Sequence, residues 1–314
     1  MIAMHFFLSL LVLALFSSCS PLQLDPGAQT PIEAFKPTGP IRVALVLGGG
    51  GARGLAHLGA IQELEAAGIR PDLIIGCSAG AMAGAIYADQ PTLEGVPEAM
   101  LTLKKADLLD YTYFRPLFGL VEGESLQKYM QKTLKAKTFA DLQIPLIVVA
   151  TDLISGEVIE LCHGDIGPAV RASCAFPGYF KPMLLHGRYL VDGGASCPIP
   201  VSIAKKYGAQ VVIAIDLSEK LPKAGPRHLF GVTKRSLEIA HKKFVEQSLL
   251  QADVAVSMNF DEVGIFVDHM NETFFQHGKE TMQKHMARIQ ELVQKPKQPE
   301  GNLVPHTDLQ VIAR

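Results

Sequence analysis

Tryptophan is missing from all 314 residues, and charged residues make up only 19% of them. The first absence leaves membrane-interface aromatic belts and base-stacking platforms under-supplied. Basic excess is missing too. Lys and Arg number 29 against 31 Asp and Glu, so nothing in the overall charge draws the chain to nucleic acid. No Cys/His spacing resembles a zinc site and no EF-hand pattern occurs, so the expected chemistry uses neither metal nor other cofactor. Internal repeats are absent. What is present, 48% hydrophobic residues, suffices for the core of one large α/β domain or two small ones.

The N-terminus carries an apolar run from Phe6 to Phe16, too short to cross a bilayer but long enough for the core of a signal peptide. It ends in Leu15-Phe16-Ser17-Ser18-Cys19, which resembles a bacterial lipobox with Cys19 as the lipidated residue. Two departures stand out: Phe16 sits where the lipobox usually has Leu, and Lys and Arg are absent ahead of the run. Residues 1–19 are thus read as a signal peptide, and Ser20 after the cysteine favours the outer membrane of a Gram-negative cell. An ordinary secretory signal, giving a periplasmic or secreted protein, is the alternative. Residues 20–40 hold five prolines and no apolar period. They read either as an extended tether of at most about 65 Å or as an arm packed on the domain.

The domain is expected over 41–294, with a poorly ordered tail at 295–314. Near-continuous apolar runs at 42–47, 72–77, 145–150, 210–216 and 253–257 read as strands buried on both faces. Shorter strands are expected at 158–162 and 189–194. Helices are read after Gly54, at 79–88, 94–105 and 124–136, before Pro177, at about 228–251, and at 272–294. The alternation implies a three-layer α/β/α fold with a mainly parallel sheet.

Two glycine clusters follow the first two strands. Gly76-Cys77-Ser78-Ala79-Gly80 is a G-x-S-x-G turn from a buried strand into a small-residue helix, with Ser78 as candidate nucleophile. A Cβ at Gly76 or Gly80 would collide in so sharp a turn. Gly49, Gly51 and Gly54 formally satisfy a dinucleotide fingerprint, which expects an acid at the end of the second strand. Here Asp72 precedes that strand. The other reading is an oxyanion hole, in which Gly49, Gly50 and Gly51 aim backbone N–H groups at one point and Arg53 adds positive field. It explains why loop and serine share one sheet edge, and it is preferred.

Gly49-Gly50-Gly51-Ala52-Arg53-Gly54, Gly76-Cys77-Ser78-Ala79-Gly80, Ser173-Cys174-Ala175-Phe176-Pro177 and Asp192-Gly193-Gly194 together resemble, in order, the motifs of the patatin-like phospholipases. The resemblance covers roughly residues 41–215 and assigns no site beyond them. It implies a Ser78–Asp192 dyad that hydrolyses fatty-acyl esters of phospholipids or lysophospholipids, while the lipid anchor expected at Cys19 would make the membrane surface a partner. A carboxylesterase or thioesterase, a silent lipid-binding lipoprotein, and a nucleotide-binding protein are the other readings. A Ser-His-Asp triad through His57, His163 or His186 competes on mechanism, and each of these reads better as a surface or core histidine. Of Cys77, Cys162, Cys174 and Cys197, a Cys174–Cys197 bridge is conceivable, with the free thiols preferred. Lys234, Arg235, Lys242 and Lys243 could meet anionic headgroups, but Glu238 and Glu246 interleave with them, and a solvated helix face is the preferred reading.

Overall fold

The computed structural model describes residues 24, 27–92, 100–112, 118–260, 263 and 266–295. Cys19, the apolar run before it and the tail beyond 295 lie outside the described residues. Eight strands form one sheet: β1 (Val43–Leu47), β2 (Leu73–Cys77), β3 (Leu146–Asp152), β4 (Val158–Leu161), β5 (Met183–Leu185), β6 (Arg188–Asp192), β7 (Val211–Asp216) and β8 (Val254–Ser257). Their order is β5-β6-β3-β2-β1-β7-β8, with β4 on the other edge of β3. The pairs β3–β2, β2–β1, β1–β7 and β7–β8 are parallel. Every residue of β1, β2, β3 and β7 is buried, which is why these strands read as continuous apolar runs.

Helices cover both faces. On one side lie α1 (Leu55–Ala66), α2 (Ala79–Asp89), α4 (Glu124–Thr133), α5 (Ile166–Ser173), α8 (Asn271–Gln283) and α9 (Met286–Gln294), closing over the larger core. The short α3 (Lys105–Leu108) lies beside α4. The other side carries α6 (Val201–Lys206) and the long α7 (Leu229–Leu249) over a smaller core built from Ala44, Val46, Ile75, Val149 and Val212. This is the α/β/α arrangement expected. Among the described residues no helix is long and apolar enough to cross a membrane.

Several elements differ from the expectation. The helix read at 272–294 is two, α8 and α9, broken at Lys284 and His285, whose N–H groups bond three residues back to Thr281 and Met282. Neither Gly nor Pro marks that break, so the sequence period ran through it. Of the helix read at 94–105, residues 94–99 lie outside the described residues and 102–104 are not helical. The helix before Pro177 ends at Ser173, four residues ahead of the proline. Residues 27–40 of the proline-rich stretch have no regular structure, yet they are laid on the domain. Thr30 N–H bonds the His186 carbonyl, Phe35 packs edge-on against Tyr207, and the Cys162 thiol meets the Glu33 carbonyl.

α8 packs on α1 through reciprocal glycines. A Cβ on Gly59 would stand 2.0 Å from the Phe275 carbonyl oxygen, and one on Gly278 2.1 Å from that of Ala56. Backbone cannot yield as a side chain can, so either alanine must force the helices apart. We expect Gly59→Ala and Gly278→Ala each to lower stability by about 2–3 kcal/mol in urea unfolding. A loss under about 0.5 kcal/mol, the range of an ordinary surface change, would contradict this packing.

Candidate active site

The site lies at the C-terminal edge of the sheet, where β1 and β2 end side by side. Ser78 follows β2 and begins α2 with φ 54° and ψ −122°, a conformation that L residues rarely adopt. Close packing holds it there. A Cβ on Gly76 would lie 2.5 Å from Ala81 Cα, and one on Gly80 2.2 Å from the Leu47 carbonyl oxygen. Ser173 pins the turn from outside: its hydroxyl accepts from Ser78 N–H at 2.8 Å and donates to the Val149 carbonyl at 2.6 Å.

Asp192 reaches Ser78 by an unusual route along β3. β2 pairs with β3 up to Cys77↔Val149, and antiparallel β6 pairs with it from Ala150↔Asp192 onward. Because β4 pairs with residues 148–151 of β3, β2 and β6 must share the opposite edge. The end of β6 therefore meets the end of β2 head-on, and Asp192 arrives beside the turn that lifts Ser78. The Ser78 hydroxyl donates to Asp192 Oδ2 at 2.6 Å. Asp192 Oδ1 accepts from Gly194 N–H at 2.7 Å and, more weakly, from the Cys77 thiol at 3.8 Å. Its N–H donates to the Ala175 carbonyl, and Thr151 donates to its carbonyl. Burial pushes the Asp192 carboxyl up to about 6, while the bonds from Ser78, Gly194 and Cys77 pull the other way.

The glycine loop runs against the same turn. A Cβ on Gly49 would touch Ser78 Cβ at 3.5 Å, and one on Gly54 would press Ala79 Cβ at 2.9 Å. Gly51 has φ +57°, where glycine is favoured. Gly49 N–H donates to the Pro198 carbonyl. Arg53, expected to add positive field to an oxyanion hole, is engaged with the loop and with Glu219. Its Nε donates to the Gly50 carbonyl at 2.9 Å and its guanidinium pairs with Glu219, so the charge is already matched and the side chain braces the loop.

The three histidines sit elsewhere. His57 is fully buried, its Nε2 bonds the Gly48 carbonyl at 2.8 Å, and burial lowers its pKa to about 4. His163 faces Glu33 and the Ala34 carbonyl, and His186 faces Thr30. Asp72 accepts the N–H groups of Arg42 and Val43, at the end of β1 away from the glycine loop. Cys77, Cys162, Cys174 and Cys197 are all free, so Cys174 and Cys197 form no bridge.

Two residues from the final third of the chain, which sequence reading left without a site, approach it. Glu219 holds Arg53. His241 on α7 places Nε2 3.8 Å from where a Cβ on Gly194 would be. No motif surrounds either residue, so nothing local announced them.

Residues 45–205 match the family model described as patatin-like phospholipase. Over 186 residues the chain is 34% identical to patatin-like phospholipase domain-containing protein 6 of Mus musculus, covering 57% of this chain and 14% of that protein. With the neuropathy target esterase sws of Drosophila melanogaster it shares 32% identity over 191 residues, 57% of this chain and 13% of that one. The chain thus spans about one seventh of the length of these relatives. Among solved structures, VipD from Legionella pneumophila superposes with a TM-score of 0.56 at 16% identity, covering 88% of this chain and 73% of that one. That likeness is one of fold.

Proposed function

Since the chain belongs to the patatin-like phospholipase family, we propose that it is a serine acyl hydrolase cleaving fatty-acyl esters of phospholipids or lysophospholipids through an acyl-enzyme on Ser78. The observation that carries this reading is the 2.6 Å hydrogen bond from Ser78 Oγ to Asp192 Oδ2. No histidine intervenes, so Asp192 itself is the base. A carboxylate near 6 is a better base at neutral pH than one at the ordinary 3.8. As Ser78 Oγ bonds to the acyl carbon, its proton passes to Asp192. When the tetrahedral intermediate collapses, the ester C–O bond breaks and that proton goes to the departing alcohol. Asp192 then takes a proton from water, whose oxygen bonds to the acyl carbon; as the Ser78 Oγ–acyl bond breaks, Asp192 returns the proton to Ser78 Oγ and the fatty acid leaves.

The negative oxygen formed at each step needs donors. With Gly49 N–H committed to Pro198, the donors in this proposal are the N–H groups of Gly50 and Gly51, held in place by Arg53. A thioesterase or general carboxylesterase would run the same steps with another leaving group. A catalytically silent lipid binder is disfavoured by a strained serine already bonded to a buried carboxylate.

Export and lipidation at Cys19 complete the proposal. Packing of residues 28–35 on the domain leaves residues 20–27 as the spacer, about 25 Å if extended as polyproline, so a lipid on Cys19 would hold the domain close to the bilayer. Fatty-acid release from defined diacyl- and lysophospholipids, measured in chelator, tests the chemistry. Release at chelator-independent rates, together with fluorophosphonate labelling of Ser78, is expected. A protein that neither releases fatty acid nor takes the label would sink the reading.

A further inference from the structure

α7, the longest helix among the described residues, buries only Val245. Large apolar side chains lie open along it: Phe230 is 80% exposed, Leu237 67% and Phe244 52%. These three recur every seven residues, close to two helical turns, and so form one stripe. His241 stands one turn after Leu237 and one before Phe244, on the flank of that stripe. Its ring reaches Gly194 beside Asp192. The stripe therefore borders the mouth of the Ser78–Asp192 site.

Charge on this segment is uneven. Residues 220–250 hold seven Lys and Arg against two Glu, in a chain whose net charge is −2. Lys234 and Arg235 share Glu238, and Lys243 takes Glu246, which leaves the helix basic after its internal pairs are formed. The basic side chains alone fit a solvated face, as the sequence suggested. Three bulky apolar groups standing among them do not. What covers such a surface must be apolar within and anionic at its rim. A second copy of the chain would set this basic segment against its own like charge. An anionic bilayer meets both demands.

We propose that α7 is the face by which the protein seats on an anionic phospholipid bilayer, with Phe230, Leu237 and Phe244 entering the interface and the basic side chains meeting headgroups. Its use in catalysis rests on the function proposed above; the insertion itself needs no turnover. Docked this way, the mouth of the site opens at the surface from which the substrate is drawn.

Because the chain has no tryptophan, Leu237→Trp makes a single reporter, placed in the full chain with Ser78→Ala so that vesicles stay intact. A second protein carries Tyr129→Trp instead, on α4 in the opposite layer. Vesicles are phosphatidylglycerol with phosphatidylcholine, or phosphatidylcholine alone, with and without brominated acyl chains. The expected result is blue-shifted, bromine-quenched emission at 237 on the anionic vesicles, at least several-fold weaker without phosphatidylglycerol or in high salt, and none at 129. No quenching at 237, or equal quenching at both positions, overturns the proposal, as does a concentration-dependent blue shift before vesicles are added, which would mean a second copy covers the stripe. In the enzyme with Ser78 intact, Phe230→Ser with Leu237→Ser and Phe244→Ser should cut hydrolysis on anionic vesicles by roughly a thousandfold, at about tenfold per apolar side chain. Hydrolysis of a monomeric short-chain ester should be unchanged. Equal losses on both substrates would also overturn docking. Total absence of Ser78-dependent hydrolysis would instead overturn the function, with the quenching result still standing for the bilayer.

Discussion

Ser78→Ala is expected to lower kcat/KM for acyl release by about 10⁴-fold or more, and to abolish fluorophosphonate labelling, with the fold intact. The size follows from the mechanism: without Oγ there is no acyl-enzyme, and the remaining loop and carboxylate can only assist a poorly placed water. Stability should barely change, because alanine occupies the same strained backbone that serine does. Ser78→Gly is the informative companion. At φ 54° and ψ −122° a Cβ is itself costly, so the glycine variant should be as inactive as alanine but about 1–2 kcal/mol more stable. Equal stability of the two variants would mean that the turn carries no strain. Residual turnover above about 1% in either would move the nucleophile away from Ser78.

Asp192→Asn should be equally inactive and yet more stable than the wild type at pH 8. Burial raises the Asp192 carboxyl from 3.8 to about 6, so the folded protein holds this proton more tightly than the unfolded chain does. The stability this adds is fully present below 3.8 and is lost as pH rises through 6. At pH 8 the wild type buries a charge that asparagine does not carry, and the gain in the variant should be about 2–3 kcal/mol. Near pH 4 the difference should vanish. His57 acts in the opposite sense: its pKa is lowered to about 4, so its contribution is present above 6.5 and is lost as pH falls through 4. Both proteins share that term, and comparing their melting temperatures from pH 4 to 8 isolates Asp192. Activity depends on the ionised base, so wild-type kcat/KM should fall about tenfold per pH unit below about 6. An asparagine variant that keeps activity would remove Asp192 from catalysis. One that is inactive and no more stable at pH 8 would mean that the ionised carboxylate is better solvated than its burial implies.

The parts of this site that could be read from the sequence are those whose reasons are local. β1, β2, β3 and β7 are buried on both faces, and such strands must be apolar at nearly every position. Gly76 and Gly80 face backbone within their own turn or its neighbouring strand, so the requirement for glycine sits beside the serine it serves. Tertiary structure alone decided the rest. That β6 runs antiparallel to β3 and meets β2 end-on depends on pairing partners about forty residues apart or more, and side-chain alternation says nothing about which edge a strand takes. Glu219 meets Arg53 across 166 positions, and His241 reaches Gly194 from a helix that follows every motif; neither leaves a period to find. The packed arm at residues 28–35 and the break between α8 and α9 likewise depend on surfaces supplied by distant segments. Local chemistry is written at each position because a turn or a buried strand constrains the residues that form it. The meeting of distant segments is fixed only when the whole core closes and selects one pairing from many.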